Sequence, residues 1–78
     1  MVYLLSVDAL VHLEELCNDY RERFGSLPKS ELADNLRIYI DWLTKAANDH
    51  MMSEERTTIR AEDMEYAGNI ISKQQVGK

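Results

Sequence analysis

Few side chains in this chain carry chemistry, and their spacing decides what they can do. The soft metal ligands are His12, Cys17 and His50. A zinc site needs three or four donors at paired short spacings, and these three stand apart, so the sequence holds no metal constellation. A single cysteine forms no intrachain disulfide. Cys17 reads as a small buried hydrophobe, and an unpaired thiol fits a reducing intracellular compartment. The carboxylates Glu14, Glu15, Asp19 and Glu22 fall on the solvated side of a helix. With no nucleophile beside a base and no phosphate-binding loop, the sequence reads as a non-enzyme with no cofactor. One pair has directed chemistry. Arg56 precedes Asp63 by seven residues, and Asp63 falls in the first turn of a helix. There its carboxylate can accept from free helix amides and also hold a guanidinium that folds back, locking loop to helix.

Three helices must position that pair. The strong punctuation is Phe24-Gly25-Ser26-Leu27-Pro28-Lys29-Ser30, and a softer break runs from Ser53 to Thr58. Ser6 caps the first helix, with Asp8 in its opening turn and Leu10, Leu13, Leu16, Cys17, Tyr20 and Phe24 at helical spacing up to Gly25. The second, capped by Ser26 or Ser30, extends to about Met52 and is the longest. Its stripe is Leu32, Leu36, Tyr39, Ile40, Leu43, Ala47 and Met51. Ile38 and Trp42 lie off the stripe, so Trp42 is either packed on a second neighbour or an anchor for a partner. The third covers about Ala61 to Ser72 and uses Met64, Ala67, Ile70 and Ile71. Before it, Thr57, Thr58 and Ile59 favour a mini-strand, for which Ser26-Leu27 is the available mate. Residues 1–5 and 74–78 read as frayed.

At 78 residues the chain is one helical domain, 1–78, too small to bury a generous core alone. An apolar fraction of 45% with 29% charged residues is that of a folded chain. Without disulfide or metal, oligomerisation is the remaining source of stability. Met1 to Leu5 carries neither a basic leader nor a long apolar run, so neither signal peptide nor membrane span is expected. A net charge of −5 argues against holding nucleic acid on the chain's own charge.

The order medium, long, short helix, together with the run Arg56-Thr57-Thr58-Ile59 followed by Glu62-Asp63-Met64 and Ala67, resembles a histone-fold protein, especially the centromere protein S and X group. The likeness in pattern covers roughly Ser6 to Ser72, and its specific part is Arg56 to Ala67. It implies an all-α histone fold with two short paired loops, in which Arg56 and Asp63 form the loop-to-helix ion pair and Leu36, Ile40, Leu43 and Ala47 face the partner. Two features depart from the family. Arg60 stands where a hydroxyl cap is usual, and Gly68 interrupts the third helix at a cost of about 1 kcal/mol relative to Ala.

The resemblance implies a dimerisation subunit of a nuclear, DNA-associated complex for kinetochore, repair or transcription work, paired with another histone-fold chain, more often a different and more basic one. Lys29, Arg56 and Arg60 are the cations its loops offer to DNA, beside Glu54, Glu55 and Glu62, so DNA contact is expected to be indirect or weak. A second class fits the same acidity and size: a bacteriophage-type inhibitor in a bacterial cytoplasm, which folds alone and occludes a basic site on a host enzyme.

Overall fold

The computed structural model describes residues 3–76, and side chains over 3–71. The chain is all-helical: α1 spans Val7–Arg23, α2 Lys29–Ser53 and α3 Ala61–Val76. Each boundary has a local cause. The Ser6 hydroxyl accepts from the Ala9 amide at 3.1 Å, Asp8 sits in the first turn of α1, and Arg21 and Arg23 in its last, all in the favourable sense for the helix dipole. At the far end, a Cβ on Gly25 would lie 2.7 Å from the Arg21 carbonyl oxygen, so only glycine fits as the chain turns away.

α2 begins without a side-chain cap. Pro28 occupies the cap position, and its fixed φ of −54° leads into the helix; Ser26 lies before it and Ser30 already inside, so neither expected cap serves. α2 ends in a Schellman arrangement, in which the Arg56 amide donates to the Met51 carbonyl at 3.2 Å and the Glu55 amide to Met52 at 2.9 Å. Glu55 takes the left-handed position of that motif, with φ of 58°, where glycine is usual.

α1 and α3 run alongside each other and antiparallel to α2. Tyr20 near the end of α1 stacks on Tyr39 with ring centroids 4.6 Å apart, His50 near the end of α2 meets Asp63 at the start of α3, and α3 packs along α2 more extensively than α1 does. Between α1 and α3 the close approach is at Gly68, where an added Cβ would lie 3.2 Å from Leu16 Cδ2. That contact explains a glycine inside a helix: its propensity cost is the condition for letting α1 settle against α3.

The core consists of Ala9, Cys17, Leu36, Tyr39, Leu43, Ala47, Met51, Ile59, Met64, Ala67 and Ile71. Leu43, Ile59 and Met64 are fully enclosed. Each such side chain contributes roughly 1.5–3 kcal/mol of burial, set against the entropy of ordering it. On α1 the small Ala9 faces inward while Leu10, on the expected stripe, is half exposed.

The loop before α3 does pair in extended form, but with a different mate from the one expected. Ile59 forms a parallel bridge with Leu5: its amide donates to the Leu4 carbonyl at 2.8 Å, and the Ser6 amide donates to the Ile59 carbonyl at 2.9 Å. Ser26-Leu27 cannot reach it within one chain. It stands at the other end of α2, whose 25 residues span roughly 37 Å. Leu5 is available because α1 starts at the same end as α3. Residues 3–5 are therefore tied down and not frayed, and α3 continues through Val76, past the expected stop at Ser72. Residues 1, 2, 77 and 78 lie outside the described residues.

Candidate functional site

The densest polar construction surrounds Asp63, the one fully buried carboxylate among the described residues. α3 starts with Arg60 in the cap position, and an arginine side chain cannot accept an amide. Asp63, three residues on, reaches back instead: its Oδ2 accepts the Arg60 backbone amide at 2.8 Å, which is the returning half of a capping box. The same carboxylate takes the Arg56 guanidinium in a fork, Nη1 to Oδ2 at 3.0 Å and Nη2 to Oδ1 at 2.7 Å. The Schellman turn at the end of α2 delivers Arg56 to that place.

Two further groups complete the cluster. His50 Nδ1 lies 2.6 Å from Asp63 Oδ1, and its ring stacks on Tyr66 with centroids 4.3 Å apart. Glu54 Oε1 accepts from Arg56 Nη2 at 2.7 Å and from Nε at 3.2 Å. Burial alone pushes the Asp63 carboxyl upward, but hydrogen bonds from Arg56, the Arg60 amide and His50 outweigh it and hold the group down at about 2. Arg56 moves the opposite way, its guanidinium held protonated by Asp63 first and Glu54 second.

The cluster resembles two kinds of chemical site and fits neither. His50, Glu54 and Asp63 each offer a ligand atom within 4.8 Å of one another, a spacing a cation could use. Both Asp63 oxygens are already occupied, by Arg56 twice, by the Arg60 amide and by His50, so a cation would have to expel the guanidinium. An aspartate behind a histidine is also half of a hydrolytic triad. Here the Ser53 hydroxyl donates to the carbonyl of His50 itself at 2.6 Å, and among the described residues no hydroxyl or thiol is hydrogen-bonded to the ring. What the arrangement does is fasten the end of α2, the loop and the start of α3 into one piece.

The residues expected to meet a partner are distributed otherwise. Leu36, Leu43 and Ala47 are buried within this chain and Ile40 packs against the same core, so they have little or no surface to give to a second chain. The 3.6-residue stripe that marks them as apolar does not say which neighbour covers them; α1 and α3 do. The exposed large apolar side chains on α2 are Ile38, Trp42 and Met52, at 47%, 50% and 61% exposure. Trp42 edges an open groove of about 360 Å³ shared with Lys45, Ala46, Asp49, Ile70 and Ile71.

The three cations do not form one patch. Lys29 sits at the start of α2 and Arg60 beyond its end, while Arg56 is committed to Asp63 and Glu54. Sequence spacing pairs Arg56 with Asp63 but does not bring His50 to them; the i, i+4 spacing of His50 to Glu54 is the available signal, and its nitrogen–oxygen distance is 3.8 Å. His12 lies 3.4 Å from Glu15 on the surface of α1. Cys17 is buried, and burial pushes its thiol up, the opposite of what a reactive thiol requires. Among the described residues no helix is long and apolar enough to cross a membrane. No family model matches the chain, and neither a curated protein nor a solved structure matches it.

Proposed function

We propose that this chain is a non-catalytic interaction subunit of histone-fold type, which docks a second histone-fold chain on the outer side of α2 and serves as a scaffold in a DNA-associated nuclear assembly. The observation that carries the reading is Trp42, half exposed on the longest helix, with Ile38 one turn before it and Met52 farther along the same side, away from the core. A large aromatic that contributes only part of its area to its own fold is a characteristic interface anchor. The histone-fold component is supported by helices of 17, 25 and 16 residues with the longest in the centre, by an extended pairing residue in the second loop, and by the fork of Arg56 on Asp63.

With Leu43 and Ala47 enclosed, the partner takes Ile38, Trp42 and Met52 in their place.

The test is a photo-crosslinking amino acid in place of Trp42, expressed in cells, with the same group at exposed Arg23 as control. The reading expects a crosslinked helical protein from position 42 and none from 23. No crosslink through position 42 would refute it.

A second reading has its own support. The chain buries a core of its own and pairs Ile59 internally, and its charge is −5. A free-standing acidic inhibitor of a basic host enzyme would have these properties. It predicts a native-gel complex with basic nucleic-acid-binding proteins, which the scaffold reading does not require.

A further inference from the structure

The outer side of α2 carries more order than a scatter of exposed apolar residues. At about 100° per residue, Ile38, Trp42, Lys45, Asp49 and Met52 fall within roughly 80° of the helix circumference. Their spacing alternates four and three residues, the a/d repeat of a helix–helix seam. In that repeat Trp42 and Asp49 are a positions, and Ile38, Lys45 and Met52 are d positions. When two such helices pack antiparallel, a positions meet d positions.

We infer that this seam receives a second copy of the chain, packed antiparallel about a two-fold axis that crosses the outer side of α2 at the level of residue 47. The register that carries this is Trp42 against Met52 of the second copy and Lys45 against Asp49 of the second copy, each contact occurring twice. The chemical order along the helix is apolar, cation, anion, apolar. Reversed on itself from Trp42 to Met52, that order meets its own complement, as an isologous contact requires, while Ile38 lies just past the end of the partner's α2. Packed parallel, the same residues would set Lys45 on Lys45 and Asp49 on Asp49, which selects against that orientation.

Three observations favour a second copy over an unrelated chain. Neither Lys45 nor Asp49 takes part in an ion pair among the described residues, so both charges are free to cross the seam. Trp42 and Met52 are exposed at 50% and 61%, and they stand ten residues apart with the two charges between them. The groove beside Trp42 is lined by Ala46, Ile70 and Ile71, small enough at Ala46 for a second helix to approach and apolar along α3. The other exposed apolar group, Leu4, Val7, Leu10 and Val11 on and before α1, adjoins Glu14 and Arg21, but setting those two charges against each other in a reversed copy leaves Leu10 and Val11 facing positions past the end of α1. A seam of this length buries on the order of 1,000 Å² in total, at the low end for a specific interface, so the dimer is expected to be reversible.

The inference rests on the reading of α2 as the docking face, and the experiment separates the two. Sedimentation equilibrium of the full chain, from about 1 µM to about 1 mM protein, is compared for the wild type, Lys45→Asp, Asp49→Lys, their equimolar mixture, and Val11→Glu as a control on α1, with circular dichroism to verify folding. The wild type and Val11→Glu should reach a dimer. Each single reversal should weaken self-association at least about tenfold, because it places like charges opposite each other. The mixture should regain the dimer, since one chain then presents two anions to two cations.

A wild type that stays monomeric over the whole range overturns the inference, as does a dimer indifferent to both reversals. If that monomer still crosslinks a different protein through position 42, only the self-pairing fails. If it crosslinks nothing, the docking reading fails with it.

Discussion

Replacing Asp63 with Asn keeps the shape of the side chain and removes its charge from a site with no exposed surface. The wild-type carboxylate accepts two bonds from Arg56, one from the Arg60 amide and one shared with His50. An amide offers a single acceptor oxygen and turns an NH₂ toward the remaining donors. Holding the group at about 2 against an ordinary 3.8 corresponds to about 2 kcal/mol of charge-specific stability at neutral pH. Losing one partner of a buried pair costs about 3–5 kcal/mol in general. Here the guanidinium keeps Glu54 at 2.7 Å and reaches Glu62 at 3.7 Å, so the low end applies. A loss of about 3 kcal/mol lowers the melting temperature of a domain this size by roughly 12–24 °C. Thermal and urea unfolding followed by circular dichroism reads it directly. The pH dependence is a second check. A carboxylate held low in the folded state adds stability that is complete above about 3.8 and disappears as pH falls through about 2. The gap between wild type and Asp63→Asn should therefore be full at pH 6 and narrow between pH 4 and pH 2. A variant within about 0.5 kcal/mol of wild type at pH 6, or a gap that stays constant down to pH 2, would show that the carboxylate does not fasten the loop.

Three further substitutions follow from particular contacts. Leu43→Ala, at a fully enclosed position, should cost about 2–5 kcal/mol of unfolding free energy measured in urea, a stability effect and not a partner-binding effect. Glu55→Gly relieves a left-handed φ of 58° and should raise stability by about 0.5–1 kcal/mol in the same assay, since glycine suits that helix-ending position. Gly68→Val drives a branched side chain toward Leu16, 3.2 Å from where its Cβ would stand, and should cost about 1–3 kcal/mol with a lower melting temperature.

Three helices, their order and their rough limits were legible because periodicity and punctuation act locally: Ser6 before Asp8, Gly25 after Phe24, and apolar residues every three or four positions. The contact between Arg56 and Asp63 was legible for the same reason, since only seven residues separate them and Asp63 falls in the first turn of a helix, although Glu54 shares the same guanidinium. The part of the site that escaped was tertiary. His50 reaches Asp63 only because α3 folds back along α2, and no spacing within α2 encodes that return.

The mate of Ile59 escaped for a related reason. A residue with a free amide and carbonyl in extended conformation can pair with any strand-like segment brought alongside, and the helix lengths decide which one arrives. Since α2 carries Ser26-Leu27 some 37 Å away while α1 returns Leu5 to the same end, the pairing is settled by helix count and direction. The same consideration reassigns the apolar stripe of α2. Once α1 and α3 lie on one side of it, Leu36, Leu43 and Ala47 are spent on the fold, and whatever surface remains for another chain must lie where the 3.6-residue stripe is broken, at Ile38, Trp42 and Met52.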